Sequence, residues 1–170
     1  MTSVIIRPGT TADTSALGRL GALLVTVHHG FDPRRFIEAG PDAERGYGDF
    51  LASQLGRPEV SILVAEASGA VVGYAYAALE GRDYMALRGP AGVIYDLIVD
   101  PARRGQGVGR LLLRATVERL VEGGAPRVVL STAERNAPAQ SLFDSFGFRR
   151  TMIEMTWEAP ALPPGAARAI

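Results

Sequence analysis

A short segment rich in glycine and arginine carries the clearest chemical signal in the sequence. Residues 103–110 read RRGQGVGR and lie between an apolar run, residues 93–99, and a helical pattern that starts at Val108. At the start of a helix, several backbone N–H groups lack an intrahelical partner. Glycines let these groups converge on an anion, and the helix dipole and the arginines add positive charge. The segment is therefore predicted to bind a phosphate or pyrophosphate group.

Other interpretations of this segment fit less well. A Walker A loop needs Gly-x4-Gly-Lys-Ser/Thr, and the sequence contains neither Lys-Ser nor Lys-Thr. A dinucleotide fingerprint needs Gly-x-Gly-x-x-Gly after the first strand of a βαβ unit, whereas these glycines alternate and come late in the chain. A turn that only reverses the chain would need fewer glycines and no neighbouring arginines.

Composition excludes several other kinds of site. Basic and acidic residues balance, 18 of each, so no overall field draws the chain to nucleic acid or to an anionic membrane. Cysteine is absent, which excludes disulfides and thiolate nucleophiles or metal ligands. The first ten residues lack an apolar signal region, and no apolar stretch of about 18 residues could span a bilayer. We therefore expect a cytoplasmic protein without nucleic-acid or membrane partners.

Periodicity and turn residues predict the elements that position the loop. A capping box at Thr10 and Asp13 should start a helix that continues to Val27. Further helices are predicted over residues 42–55, 108–121 and 138–147, and strands over residues 4–6, 60–67, 71–79, 93–99, 127–132 and 149–158. This order predicts one α/β domain over residues 1–158, a mixed central sheet flanked by helices, with a flexible tail at 159–170.

The loop and its surroundings resemble a known family. Residues 104–109, RGQGVG, are similar to the Gln/Arg-x-x-Gly-x-Gly/Ala signature of the GCN5-related N-acetyltransferase (GNAT) family. Residues 96–101, DLIVDP, precede it at the usual distance. Residues 136–143, NAPAQSLF, and Gly147-Phe148 follow and resemble the family's later motifs. The resemblance covers residues 4–158 and implies a GNAT-like acyl-CoA N-acyltransferase fold.

The resemblance also implies where acetyl-CoA binds. In the family, the pantetheine arm pairs with the backbone of the fourth strand, which a bulge separates from the fifth, and a strand N–H faces the thioester oxygen. The residues implied to bind the coenzyme are Leu97, Ile98, Val99, Arg104, Gly105, Gln106, Gly107, Val108, Gly109, Arg110, Asn136 and Ala139. Asn136 is equally well explained as the N-cap of the following helix.

Asp96 is the candidate catalytic residue. An amine attacks a thioester only in its neutral form, so a base is expected, and Asp96 interrupts an apolar strand beside the implied acetyl site. Burial there would raise its pKa. Alternatively, Asp96 is a partly exposed strand residue paired with an arginine. Family members that act on polyamines carry an acidic pair here, and Tyr95 stands at the first of those positions. Weaker candidates for the base are Glu66, Glu80 and Glu134.

The family's general acid is a tyrosine at the position that Phe143 occupies, so Phe143 is interpreted as core. Ser141, Ser145 or water could take over the acid's role, and a thiol is a tolerable leaving group without it. His28 and His29 have no acidic partner at metal-ligand spacing, so they are interpreted as surface or packing residues, with contact to the acceptor substrate as the alternative, and no metal is expected.

These inferences predict an N-acetyltransferase that moves acetyl from acetyl-CoA to a primary amine of a small molecule or peptide. A catalytically degenerate acyl-CoA binding module is the alternative that the missing tyrosine keeps open, and a nucleotide-binding regulator is more remote. The assembly is left open as a monomer or a homodimer.

Overall fold

The computed structural model describes residues 3–160, which contain one five-stranded sheet flanked by helices. The strands lie in chain order, antiparallel from the first to the fourth and parallel between the last two. They are β1 Val4–Pro8, β2 Val60–Ala67, β3 Ala70–Glu80, β4 Ala91–Val99 and β5 Val128–Leu130. The helices are α1 Thr14–Phe31, α2 Ala43–Gln54, α3 Val108–Glu122 and α4 Ala137–Phe146, with short 3-10 turns at Thr11–Asp13 and Pro101–Arg103. The predicted mixed α/β sheet is confirmed.

Local signals place most of these elements correctly. Thr10 and Asp13 form the predicted capping box, with the Thr10 backbone N–H donating to Asp13 Oδ2 at 2.8 Å. The β2–β3 hairpin turns at Ser68 and Gly69, whose φ values are +52° and +73°. Helix α4 ends at Gly147 in the left-handed conformation. Each of these features depends on residues close in sequence, and for that reason the sequence predicts them.

Helices α1 and α2 pack so closely that backbone atoms of one helix contact the other. A Cβ added to Gly18 would lie 2.1 Å from the Glu44 carbonyl oxygen, and one added to Gly48 would lie 2.9 Å from the Thr14 carbonyl oxygen. A Cβ on Gly21 would lie 2.1 Å from the Tyr47 ring. Glycine at these positions therefore allows the close contact and lets the Tyr47 side chain pass between α1 and the sheet.

The helices cover the two faces of the sheet. Leu17 and Leu20 of α1 and Leu51 of α2 pack with the buried side chains of Tyr74 and Ile98 on one face. Leu112, Leu113 and Leu120 of α3 pack on the other face, where Phe143 of α4 joins them. Successive residues of β4 point to opposite faces, so Asp96 and Ile98 share the α1–α2 side.

A bulge in β4 opens the sheet on one side. Tyr76 of β3 pairs with Asp96, but Ala77 pairs with Ile94, so Tyr95 is an extra residue in β4. Strand β5 pairs with β4 only from Gly92 to Ile94. From Tyr95 onward β4 therefore has no partner among residues 3–160 on its β5 side, and a gap opens between the two strands.

The predicted strand at residues 149–158 is wrong. These residues have no regular secondary structure and are exposed, with Met152, Ile153, Met155 and Trp157 between 78% and 90% accessible. The segment is tied to the loop after α1 by ion pairs of Arg35 with Glu154 and Arg34 with Glu158. Its composition favours a strand, but a strand also needs a neighbour to pair with, and within residues 3–160 this segment pairs with no strand. Most of the predicted tail at 159–170 lies outside the described residues.

Candidate active site

The glycine-rich loop presents a run of free hydrogen-bond donors. Gly105 and Gly107 have φ values of +74° and +82°, and Gly107 caps helix α3. The first bond closing the helix is from the Leu111 N–H to the Gly107 carbonyl, at 3.1 Å. None of the N–H groups of residues 105–110 donates a hydrogen bond within the described chain. Six consecutive donors at a helix start form an anion-binding site of the kind that holds phosphate.

Three side chains fix the loop to the elements beside it. Arg104 Nε donates to the Val99 carbonyl at 3.1 Å, and Gln106 Nε2 donates to the Ala102 carbonyl at 3.2 Å. Arg110 donates to Ser145 Oγ at 3.1 Å and lies over the Phe146 ring of α4. Both arginines are exposed, so their charge is available to a ligand. Val108 is buried and has only its backbone N–H to offer.

The gap between β4 and β5 exposes backbone groups of β4. The Asp100 N–H donates to the Val72 carbonyl of β3 at 2.8 Å. Backbone groups alternate in direction along an antiparallel strand, so the N–H and C=O of Ile98 also face β3. Those of Leu97 and Val99 face the gap instead. The β4 bulge and the gap have the form that the family resemblance implies.

The loop, the end of β4 and helix α4 meet at one place. A Cβ added to Gly109 would contact Val99 Cγ2 at 3.7 Å and Leu142 Cδ2 at 3.5 Å. Helix α4 begins at Asn136, whose Oδ1 accepts from the Ala139 N–H at 3.3 Å. The N-cap interpretation of Asn136 is therefore confirmed. The structure does not bring Asn136 itself to the loop, since Leu142 and Ser145, about two turns further along α4, make that contact.

Asp96 is buried, with 8% of its surface exposed. Tyr47 of α2 donates to its Oδ2 at 2.8 Å, and Tyr74 of β3 donates to the same oxygen at 2.9 Å. Burial raises the pKa of Asp96 above its usual value, although both tyrosine hydrogen bonds and the charge of His28 act to lower it. The raised pKa agrees with the sequence-based expectation. The alternative, an exposed aspartate paired with an arginine, is wrong, because both contacts are tyrosines.

The remaining candidate acids lie in other surroundings. Glu66 pairs with Arg7 at 2.7 Å, and Glu80 bonds Arg88 and the Tyr95 hydroxyl. Glu134 is exposed after β5. Within the described residues, none of these three carboxylates forms a hydrogen bond with Asp96, Tyr47 or Tyr74, so Asp96 stays the preferred base.

Phe143 and the histidines are packing residues, as the sequence indicates. Phe143 is 8% exposed and packs in the core with Leu113 and Phe148. His28 Nδ1 lies 2.9 Å from the Leu24 carbonyl and His29 Nδ1 lies 2.9 Å from the Phe36 carbonyl. Of the serines considered as acids, Ser141 and Ser145 are both exposed, and Ser145 Oγ donates to the Leu142 carbonyl.

Sequence reasoning missed Tyr47 and Tyr74. Tyr74 stands between Gly73 and Ala75 in a buried strand, where a lone phenol needs a partner for its hydroxyl. That signal pointed to a buried acceptor without saying which one. Tyr47 lies in the region that the sequence predicts least well, and only the packing of α2 brings it to β4.

The comparisons with known proteins agree with this geometry. A sequence profile of the acetyltransferase (GNAT) family matches residues 26–148. The chain belongs to the GNAT family.

Among curated relatives of this GNAT protein, mycothiol acetyltransferase of Thermomonospora curvata is 31% identical over 61% of this chain and 32% of its own length. The enzyme of the same name from Thermobispora bispora is 36% identical over 55% of this chain and 32% of its own length. The matched part therefore spans about a third of these relatives.

Solved structures share the fold. An aminoglycoside N-acetyltransferase in complex with CoA superimposes with a TM-score of 0.68 at 18% identity, covering 95% of this chain and 97% of its own. Among the helices of residues 3–160, none combines the length and apolar character needed to cross a membrane. Within the same residues, no cluster of three or more potential metal-binding side chains occurs.

Proposed function

We propose that this GNAT protein transfers an acetyl group from acetyl-CoA to a primary amine. The observation that carries the proposal is the presence of two sets of backbone donors without a partner in the described chain, one facing the gap beside β4 and one at residues 105–110. The two sets meet where Gly109 approaches Val99, and a buried carboxylate, Asp96, precedes the gap-facing residues of β4. A phosphate-bearing ligand with an extended amide arm matches this surface in charge and in hydrogen-bonding pattern.

In this proposal, each part of acetyl-CoA has its own contacts. The N–H groups of residues 105–110 hold the pyrophosphate, with Arg104 and Arg110 adding charge. The backbone of Leu97 and Val99 pairs with the pantetheine amides, as an added strand would. Asn136 and Ala139 line the start of α4 on the far side of the gap. The backbone of Ile98 stays in the β3 ladder, so its side chain supports the site from the core.

The proposed reaction is direct attack of the amine on the thioester. Asp96 accepts a proton from the alkylammonium form, either directly or through water, because only the neutral amine has a free lone pair. A backbone N–H in the gap donates to the oxyanion that forms. The C–S bond then breaks and coenzyme A leaves as a thiolate. A thiolate can leave without a general acid, which is consistent with Phe143 at the position of the family's acidic tyrosine.

A small-molecule amine is the proposed acceptor class, with a peptide amine as the alternative. The aminoglycoside and mycothiol acetyltransferases named above support this choice by their names alone. Tyr95 in place of an acidic residue argues against a polyamine. A cytoplasmic location is proposed with it, since acetyl-CoA is a cytoplasmic metabolite.

Thiol release tests the function. Acetyl-CoA is incubated with the protein and, in separate reactions, with neamine, glucosamine, spermidine, an amino acid or a peptide with a free N-terminus. We expect amine-dependent thiol release that Asp96→Asn reduces. Tight acetyl-CoA binding with no thiol release for any amine would favour the degenerate binding module. Competition by ATP as strong as by desulpho-CoA would favour a nucleotide-binding regulator.

A homodimer is the assembly that we propose. The four large apolar side chains between Met152 and Trp157 are exposed in the single chain, and a second copy could cover them. Light scattering should report a dimer for the wild-type chain. A monomer at all concentrations would exclude it.

A further inference from the structure

Asp96 is held by two phenols that come from elements far apart in sequence. Tyr47 of α2 and Tyr74 of β3 both donate to Oδ2, at 2.8 Å and 2.9 Å. The other carboxylate oxygen, Oδ1, accepts no hydrogen bond from any described residue. Within the described chain, every fully buried polar side-chain atom has a partner, so Oδ1 must keep contact with solvent. The two oxygens of one carboxylate therefore differ in their hydrogen bonds, since Oδ2 accepts two from described residues and Oδ1 accepts none.

We propose that Tyr47 and Tyr74 are positioning residues that anchor Oδ2 and leave Oδ1 as the proton-accepting atom. The proposal rests on the acetyl transfer proposed above and adds residues that neither the sequence motifs nor the family match assigns. Neither tyrosine is proposed to exchange a proton with the substrate, because burial and the neighbouring carboxylate raise the pKa of both hydroxyls.

The two phenol donors counteract the effect of burial on the ionisation of Asp96. A buried carboxylate without partners would be protonated near neutral pH and could not act as a base. Hydrogen bonds donated to its charged form counteract this effect. With both donors on Oδ2, the carboxylate can ionise and act as a base, and Oδ1 stays open to an amine or a water molecule.

The surrounding packing makes this arrangement rigid. Tyr74 has no exposed surface and sits in the core cluster with Leu17 and Ile98. Tyr47 packs directly on Gly21, where a Cβ would come within 2.1 Å of its ring. The position of the base is therefore coupled to the packing of α2 against α1.

The attacking ammonium group loses two protons during the reaction. Oδ1 accepts one proton from R–NH3⁺, the neutral nitrogen forms the C–N bond to give the tetrahedral oxyanion, and the C–S bond breaks as that intermediate collapses. The nitrogen loses its second proton as the amide forms. One of the two protons neutralises the departing thiolate and the other goes to solvent, so the products are R–NH–acetyl, coenzyme A and one proton.

Four titratable groups act on Asp96 from the elements packed around it. They are Tyr47 on α2, Tyr74 and Tyr76 on β3, and His28 on α1. The charge of His28 lowers the pKa of Asp96. A His28→Gln variant therefore accompanies the test, so that the effect of His28 is measured apart from that of the two tyrosines.

The test removes one hydroxyl at a time. Tyr47→Phe deletes the donor from a half-buried ring, and Tyr74→Phe deletes the other donor. Tyr95→Phe is the matched control, because its hydroxyl bonds Glu80 on the same sheet without touching Asp96. The Asp96 carboxyl is followed by ¹³C NMR during a pH titration, with Asp96→Asn to assign the signal. The pH dependence of kcat/KM is measured with the amine that gives the most thiol release in the test of function described above.

Loss of one donor to the charged form should raise the midpoint of the Asp96 titration by about one pH unit. The acid limb of kcat/KM should move upward with it in Tyr47→Phe and Tyr74→Phe, while Tyr95→Phe keeps the wild-type midpoint. His28→Gln removes a charge that lowers the Asp96 pKa, so any upward shift in that variant gives the contribution of His28. A midpoint that does not move in Tyr47→Phe would overturn the proposal. A moved midpoint with an unmoved acid limb would overturn the catalytic part. Absence of thiol release from the wild-type protein would instead refute acetyl transfer itself.

If Tyr47→Phe or Tyr74→Phe does not fold, Gly21→Ala provides a second route. This variant keeps the Tyr47 hydroxyl but pushes its ring away from the position that donates to Asp96. It should show the same upward shift as Tyr47→Phe. A folded Gly21→Ala protein with the wild-type midpoint would contradict the positioning role.

Discussion

Replacing Gly107 by valine tests the phosphate-binding loop most directly. Gly107 has a φ of +82°, and a Cβ added there has no neighbour within 4 Å, so the main cost lies in the backbone. A non-glycine residue held in the left-handed region costs on the order of 1–3 kcal/mol, and a β-branched residue is disfavoured there. The loop must either bear this strain or move away from the conformation in which its N–H groups converge.

The expected loss of affinity follows from that strain. If the loop relaxes in the free protein and is forced back on binding, about 1–3 kcal/mol raises the Kd for CoA by roughly 5-fold to 150-fold. Isothermal titration calorimetry with CoA and acetyl-CoA measures this change. The fold itself should survive, with Tm lowered by about 2–12 °C, that is about 2–4 °C per kcal/mol for a chain of this size.

Gly69→Val is the matched control. Gly69 has a φ of +73° in the β2–β3 hairpin and also has open space around its Cα. The same backbone strain therefore arises away from the loop, and Gly69→Val should lose Tm without losing CoA affinity. Equal CoA affinities for wild type, Gly107→Val and Gly69→Val would refute the assignment of the loop to phosphate binding.

Four further predictions concern the site and the core. Arg104→Ala should raise the Kd for CoA by less than Gly107→Val does, because it removes one charge beside several backbone donors; a larger loss by calorimetry would assign the binding energy to the side chain instead. Asp96→Asn should lower kcat and abolish the acid limb with little change in CoA affinity, and an unchanged pH–rate profile would make Asp96 structural. Because the folded-state pKa of Asp96 is raised, its ionisation costs stability as pH rises through that pKa, so urea unfolding should find Asp96→Asn more stable than wild type above this window but not below it. Phe143→Ala should lower the free energy of unfolding by about 3–5 kcal/mol, as expected for a buried aromatic, and a cost under about 1 kcal/mol would contradict its place in the core.

Much of the fold could be predicted because its signals are local. The capping box at Thr10, the turn at Ser68 and Gly69 and the glycines around α3 each act within a few residues of the structure they specify. The strand at 149–158 failed for the opposite reason. Its residues favour extended backbone, but pairing depends on an edge that a distant part of the chain must supply.

Residue types and short-range spacing were enough to predict the loop, the order of the elements up to α4 and a carboxylate inside a buried strand. The three-dimensional packing was needed to establish which backbone groups face the gap, because one extra residue at Tyr95 reverses the direction of every later group in β4. It also decided the partners of Asp96. Tyr47 is 49 residues away along the chain and Tyr74 is 22. Their meeting depends on the close packing of α1 on α2 and on the β3–β4 register, which no local pattern encodes.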